Sequence, residues 1–440
     1  MLYSKQITKE KEETVMTKIC VIGLGYIGLP TSAVFAKAGY DVVGIDVNKK
    51  VVDTLNEGKI HIEEPGLPEV VKEAVESGKL TASTEVQKAD VFIIAVPTPV
   101  HEDKTANTDY VAKATESILP VLEKGNTIIV ESTIPPRTID DVVAPVLRDA
   151  GWNLEENDLY VSHCPERVIP GKIMEELIHN TRVVGGLTPE GAKKAADVYR
   201  LVVQGDIHET TAVTAEMSKL MENTFRDVNI ALANELAKVS DKLDVNAHEV
   251  INFANMHPRV NILQPGPGVG GHCIAVDPYF IIEKAQEETP LMQTSRQIND
   301  SMPSFVVEKI ETLTENVQNP KIAVFGLSYK ANVDDVRESP AVTITRSLQS
   351  HKKGFNVAAH DPFVKQDMTD IPLHSVEEAL QDADVALVLA DHRQFKEMDP
   401  SLFAQFMKTP VVLDTRNCVP DHQDMTLYQI GHLTGLKPID

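Results

Sequence analysis

Cys273 stands in Gly270-Gly271-His272-Cys273-Ile274-Ala275-Val276-Asp277-Pro278, and four glycines fall within residues 266 to 271. Bare backbone of that kind lets a ligand approach closely. Asp277-Pro278 reads as an N-cap followed by the first helical residue, which puts the thiol just ahead of a helix start. A thiol there, or beside a lysine, ionises below its ordinary pKa of ~8.5, so Cys273 is expected to be a nucleophile. Cys20, Cys164 and Cys418 lie far apart with no Cys-x-x-Cys pair. Neither a metal site nor a disulfide frame is expected, and Cys20 reads as buried strand packing.

A second set has the spacing of a dinucleotide site. Gly23-Leu24-Gly25-Tyr26-Ile27-Gly28 follows a strand and leads into a helix, as backbone amides must if a helix start is to hold a pyrophosphate. Asp46 ends the next strand, about 20 residues on, where a carboxylate accepts from ribose hydroxyls and repels a 2′-phosphate. NAD is therefore expected over NADP. A plain glycine turn with a surface Asp explains the pieces separately and their joint spacing poorly.

Three further strands end in polar sets that bring Thr98, Thr133, Glu166 and Arg167 to one sheet edge, beside the expected nicotinamide. Each alone could be a cap or a turn. On a long helical stretch Lys219, Asn223 and Arg226 follow i, i+4, i+7 and share a face. A solvated stripe, with Glu216 pairing Lys219, is the competing reading. Near the end, Val324-Phe325-Gly326-Leu327-Ser328-Tyr329-Lys330 gives a strand and a glycine turn, and Ser339-Pro340 should cap and start a helix. The three-glycine fingerprint is missing, so a nucleotide diphosphate near Lys330 fits better than a second dinucleotide.

The elements that must position these residues follow from pattern. Strand-like runs at 19–22, 42–45, 91–96, 127–130 and 159–161 alternate with helical stretches and predict a parallel, doubly wound sheet. Residues 211–243 contain neither Pro nor Gly and predict a spine helix. Strands at 322–325, 356–359, 385–389 and 411–413 predict a second, smaller α/β domain. The expected fold is α/β, with two Rossmann-like domains joined by a central helical one. Their boundaries are 16–205 for the NAD domain, 206–305 for the helical domain and 306–440 for the nucleotide-sugar domain. Residues 1–15 are charged, lack an apolar period and are set aside as an extension. With 42 basic against 65 acidic residues the net charge is −23, which disfavours nucleic acid and anionic lipid as partners. No apolar run approaches the ~20 residues of a membrane span and no signal-peptide pattern opens the chain, so a cytoplasmic location is expected.

In this order, from Lys18 to about Cys418, these segments resemble the UDP-glucose/GDP-mannose dehydrogenase family. The signatures are the Gly23–Gly28 turn, Ser132-Thr133-Ile134-Pro135-Pro136, Pro165-Glu166-Arg167, Lys219 to Arg226, Gly270-Gly271-His272-Cys273 and Asp335-Val336-Arg337-Glu338-Ser339-Pro340. The resemblance implies a four-electron, NAD-dependent oxidation of the C6 alcohol of a UDP-sugar to a carboxylate. UDP-N-acetylmannosamine leads as substrate, ahead of UDP-N-acetylglucosamine and UDP-glucose. Cys273 is implied as the nucleophile and Lys219 and Asn223 as oxyanion stabilisers, with Asp277, Thr133 and Glu166 positioning water. Tyr26, Ile27, Asp46, Thr98, Thr133 and Arg337 match NAD contacts. Arg167, Val168, Arg226, His257, Arg259, Gly270, Tyr329 and Lys330 match substrate contacts. A homodimer or higher homo-oligomer around the 211–243 helix is also implied, with Arg259 the candidate to reach a neighbouring subunit's sugar. Two rivals stay open: a two-electron β-hydroxyacid dehydrogenase, and a nucleotide-sugar binding protein without turnover.

Overall fold

The computed structural model describes residues 17–439, so the segment 1–15 and Met16 lie outside it. The chain forms two compact units, one up to Leu220 and one from Met221.

In the first unit, β1 (Lys18–Ile22), β2 (Asp41–Ile45), β3 (Leu80–Ser83), β4 (Val91–Ile94), β5 (Thr127–Val130), β6 (Tyr160–His163), β7 (Arg182–Gly186) and β8 (Ile207–Thr211) form one sheet. Its order is β3-β2-β1-β4-β5-β6-β7-β8. The first six strands in chain order pair in parallel. Their apolar runs serve two cores by strict alternation: Ile19, Val21, Ile93 and Ile129 face one, while Cys20, Ile22, Phe92, Ile94, Ile128 and Val130 face the other. A strand buried on both faces reads as continuously apolar, which is why these runs were visible in the sequence. The winding reverses between β1 and β4, and there a parallel sheet opens its ligand crevice.

The sheet is not parallel throughout. β7 pairs antiparallel with β6, and β8 runs parallel to β7. The run expected at 91–96 ends at Ile94, and that at 159–161 shifts to Tyr160–His163. β3 and β8, with sequences LTAS and IHETT, are edge strands with partly exposed residues, and neither presents the apolar run that marks a central strand.

The spine helix covers Ala212–Leu243, 32 residues, or about 48 Å at 1.5 Å per residue. Thr211, expected to open it, ends β8 instead. Met221, Phe225, Leu232, Val239 and Leu243 are exposed along it, at intervals of four and seven residues that put them on one face as an apolar seam. In the second unit, β9 (Lys321–Phe325), β10 (Asn356–His360), β11 (Val385–Val388), β12 (Val411–Asp414) and β13 (Thr426–Gln429) form a parallel sheet of order β10-β9-β11-β12-β13. β13 again is an edge strand with mixed sequence TLYQ. Among the described residues no helix is long and apolar enough to cross a membrane.

Candidate active site

In the first unit the turn after β1 is shaped by its glycines. Gly23 has φ +93°, and a Cβ there would lie 2.6 Å from the Ala95 carbonyl oxygen. A Cβ on Gly28 would lie 1.8 Å from the Gly23 carbonyl oxygen, so the helix Gly28–Lys37 can start only with glycine. Gly25 differs: a Cβ there would meet nothing within 4 Å, leaving open backbone where a phosphate can approach. Tyr26 is 49% exposed, and Ile27 is the residue before the helix. Asp46 accepts the amides of Leu24 at 3.1 Å and Asn48 at 2.8 Å and is only half-buried. Its carboxylate keeps lone pairs for a ribose. These residues fit a dinucleotide.

Thr98, Thr133, Glu166 and Arg167 follow the carboxyl ends of β4, β5 and β6, which are adjacent, as expected. The Thr98 hydroxyl donates to the Thr133 carbonyl. Glu166 turns inward. Its carboxylate accepts from the Arg182 guanidinium at 2.9 Å and from the Arg167 amide at 2.6 Å, and both side chains are buried. A carboxylate held this way is a fixed acceptor rather than a solvent-facing base. Arg167 donates to the Thr181 carbonyl at 3.2 Å, and Val168 packs on the cluster of Val34, Ile173 and Leu177. Behind Glu166, the fully buried Glu131 accepts from the hydroxyls of Tyr199 at 2.7 Å and Thr31 at 3.1 Å. Burial pushes its carboxyl up to about 7, against the pull of Arg182. Sequence reasoning missed Arg182 and Tyr199, and no local pattern could have found them, because Tyr199 meets Glu131 across 68 residues of chain.

The spine helix does not contain the ion pair of the competing surface-stripe reading. Glu216 does not pair with Lys219; it is buried and accepts the amides of Arg137 at 2.6 Å and Ile139 at 2.9 Å. Burial outweighs those bonds and pushes its carboxyl up to about 7. Lys219 is half-buried, Asn223 is fully buried and Arg226 is exposed.

In the second unit, Asn223 donates its side-chain N–H to Asp277 and accepts from Arg226. Asp277 is not the N-cap expected from Asp-Pro. It is the first residue of the helix Asp277–Lys284, capped by Val276 without a side-chain bond, because its buried carboxylate is committed to Asn223. The Asp277 amide donates to the Cys273 carbonyl at 2.9 Å, so the thiol does stand immediately before the helix. Cys273 is exposed, whereas Cys20 and Cys164 are buried, with thiols pushed by burial up to about 11 and 12. The glycine turn is tightly backed. A Cβ on Gly271 (φ +81°) would lie 2.6 Å from the Tyr329 ring, and one on Gly270 would lie 2.5 Å from the Glu338 carbonyl oxygen.

His257 and Arg259 are exposed, with the Arg259 amide donating to His257 Nδ1 at 3.3 Å. Tyr329 is half-buried and Lys330 exposed. The helix capped by Ser339 starts at Pro340, as expected. A Cβ on Gly270 would meet both Tyr329, the neighbour of Lys330, at 3.0 Å and Pro340, the first residue of that helix, at 2.5 Å. Arg337 forms a two-pronged pair with Asp335 at 2.8 and 2.9 Å. The spine helix also holds the 261–266 segment through amides the sequence reading did not single out. Asn229 accepts from the Leu263 amide at 3.0 Å and Asn234 from the Gly266 amide at 2.9 Å. Asn234 is itself held by Asn299 at 2.9 Å, and Asn299 by Asp227 at 2.8 Å.

A nucleotide-type crevice in one unit and an exposed cysteine on a glycine turn in the other define a two-part, dinucleotide-dependent protein. Comparison with known families places it. Residues 17–203 match the NAD binding domain of the UDP-glucose/GDP-mannose dehydrogenase family, 213–301 its central domain and 323–421 its UDP binding domain. The chain belongs to that family. It is 48% identical over 417 residues, 93% of this chain and 95% of the relative, to the UDP-N-acetyl-D-mannosamine dehydrogenase of Methanocaldococcus jannaschii. It is 45% identical, over 90% of this chain and 95% of the relative, to the NDP-N-acetyl-D-galactosaminuronic acid dehydrogenase of Ralstonia nicotianae. The UDP-N-acetyl-mannosamine dehydrogenase structure from Staphylococcus aureus superposes with a TM-score of 0.85 at 51% identity, covering 95% of this chain and 99% of that one. NAD is thus the cofactor of the first unit.

Proposed function

We propose that this chain oxidises the C6 alcohol of UDP-N-acetyl-D-mannosamine to the carboxylate in two NAD-dependent steps through a cysteine-bound intermediate. The observation that carries the reading is the buried Asn223–Asp277 pair directly behind the turn that exposes Cys273. Two relatives, matched over 93% and 95% of this chain, are named for that sugar.

NAD, held by the Gly23–Gly28 turn and Asp46 with Tyr26, Ile27, Thr98, Thr133 and Arg337, supplies the hydride acceptor, two equivalents per sugar. Lys219 takes the C6 hydroxyl proton as the first hydride leaves, giving the aldehyde. The Cys273 thiolate adds to that carbonyl carbon, forming a C–S bond and an oxyanion that Lys219 protonates. One N–H of Asn223 is committed to Asp277, and its second is left for the oxyanion. As the second hydride leaves the same carbon, Lys219 takes back the hydroxyl proton, and a thioester remains. Water positioned by Asp277 and Thr133 attacks it, the C–S bond breaks and the acid departs. Glu166, locked by Arg182, fixes the Arg167 backbone rather than handling the proton. A preorganised oxyanion donor contributes about 3 kcal/mol to such a barrier.

Arg167, Val168, Arg226, His257, Gly270, Tyr329 and Lys330 contact the sugar nucleotide, and Arg259 reaches it from a second copy. The functional segments are 16–205 for NAD, 206–305 for the catalytic helices and 306–440 for the UDP-sugar. A homodimer forms along the exposed Phe225–Leu232–Val239 seam, together with Phe253 and Met256, which are 65% and 75% exposed. A reducing, cytoplasmic compartment suits the buried thiols of Cys20 and Cys164.

Counting NADH released per sugar tests the reading, with UDP-N-acetylmannosamine, UDP-N-acetylglucosamine and UDP-glucose at matched concentration. Two NADH and the highest kcat/KM on the first sugar are expected. One NADH would favour a two-electron dehydrogenase, and none with any sugar would leave a binding protein.

A further inference from the structure

In the second unit a sealed polar cluster with no part in that chemistry lies beneath the loop 328–332. His392 is fully buried against the Phe363 ring, 5.0 Å away, and the edge of Phe395, 5.2 Å away. Its Nδ1 accepts the Asn332 amide at 2.9 Å, so the single proton of the neutral ring sits on Nε2. Nε2 lies 3.2 Å from both Asp361 Oδ2 and Ser328 Oγ. The Ser328 hydroxyl donates to the Lys330 carbonyl at 2.8 Å, which leaves its oxygen to accept from His392. Asn332 is also tied by its side chain, which accepts the Arg393 amide at 2.9 Å.

Serine, histidine and aspartate side by side suggest a nucleophile triad, and the proton directions exclude it. A triad histidine must present an unprotonated nitrogen to the serine and donate from the other to the acid. Here Nε2 is the donor to both, and Nδ1 is filled by a backbone amide. The cluster is a strut that fastens both ends of the loop. That loop in turn backs the catalytic turn, since the Tyr329 ring leaves no room for a side chain at Gly271, two residues before Cys273.

We propose that His392, acting through Ser328 and Asn332, is a positioning residue that sets Tyr329 and Lys330 for the nucleotide sugar and steadies the Gly270–Gly271 turn. The proposal rests on the reading of Tyr329 and Lys330 as sugar-nucleotide contacts.

Three variants test it by separate KM values for UDP-N-acetylmannosamine and NAD, with thermal melting as the check on folding. His392→Phe keeps a ring but removes both nitrogens. It should raise the sugar KM about tenfold, the size of one lost hydrogen bond, and lower kcat while the NAD KM stays unchanged. His392→Asn places an oxygen where Nδ1 stands and should recover to within about threefold. Ser328→Ala should raise the sugar KM severalfold. A folded His392→Phe with unaltered sugar KM and kcat overturns the strut. If that variant does not fold, an unaltered sugar KM in Ser328→Ala overturns it instead. Lys330→Ala separates the two ideas. If it raises the sugar KM and the other variants do not, the substrate reading of the loop stands and the strut is refuted. If Lys330→Ala has no effect, the substrate reading of the loop fails and takes the proposal with it.

Discussion

The two α/β units begin with the same physical device and put it to opposite uses. Gly23 after β1 and Gly326 after β9 both have φ +93°, and their amides donate to Ile45 and His360 at 2.8 Å. In each, the aspartate just after the next strand accepts the amide of the residue after that glycine, Asp46 from Leu24 and Asp361 from Leu327. There the likeness stops. Asp46 is half-buried and keeps acceptor capacity, whereas Asp361 is 7% exposed and also takes the amides of Ser328, Phe363 and Val364, and His392 besides. A turn left open keeps room for a ligand; a turn saturated from within becomes scaffold for the loops it supports.

The largest effect that would sharpen this division is on chemistry alone. Cys273→Ser should lower acid formation by about 10³-fold or more while NAD binding by the first unit is unaltered. Sustained uronate production by that variant would remove the nucleophile assignment.

Next in size is a crossed pair. Asp361→Asn should cost about 2–4 kcal/mol of stability in a denaturant melt, because buried donors lose a charged acceptor, with the KM for NAD unmoved. Asp46→Asn should leave the melt nearly unchanged and raise the KM for NAD about tenfold. The comparison breaks if the two variants trade phenotypes.

The units should also answer acid in opposite directions. Although burial raises the Asp361 carboxyl, the bonds from His392 and the amides of Leu327 and Phe363 prevail and hold it at about 2. Its stabilisation is therefore present above about pH 4 and lost between 4 and 2, a loss of about 2 kcal/mol. Glu216, raised to about 7 by burial, contributes stability that is full below about 4.5 and lost as pH rises through about 7. Urea melts of the wild type and Glu216→Gln at pH 5 and pH 8 should show the dependence flattened in the variant, and parallel curves would contradict it.

The smallest effect is expected at Gly25. Ala fits there without contact, so Gly25→Ala should fold normally and raise the KM for NAD only severalfold. A folding defect would mean that the turn is closed after all.

What the sequence made legible follows the same physics. Central strands announced themselves because burial on both faces needs unbroken apolar runs, and the spine helix because 32 residues lacked any breaker. Edge strands such as β8 did not, since IHETT is partly exposed and carries no such signal. Gly25, Asp46 and Cys273 stood out as candidates because ligand chemistry constrains residue type at short spacing, and the structure leaves Gly25 open, Asp46 half-buried and Cys273 exposed. Arg182 behind Glu166, His392 behind Ser328 and Asn234 behind Gly266 did not stand out, since each partner is brought in from a distant stretch of chain. Asp277 shows how the two kinds collide: its neighbour Pro278 spelled a cap, while a distant Asn223 claimed the carboxylate.

The commitment of Asp361 sets a limit on redesign. Replacing Ser328 and Ala331 with glycine would spell a dinucleotide fingerprint into the stretch that starts at Gly326, yet it would not convert that unit into a second coenzyme module. The acid that such a coenzyme would have to engage is already bound by its own chain, and freeing it would mean dismantling the floor on which the 328–332 loop stands.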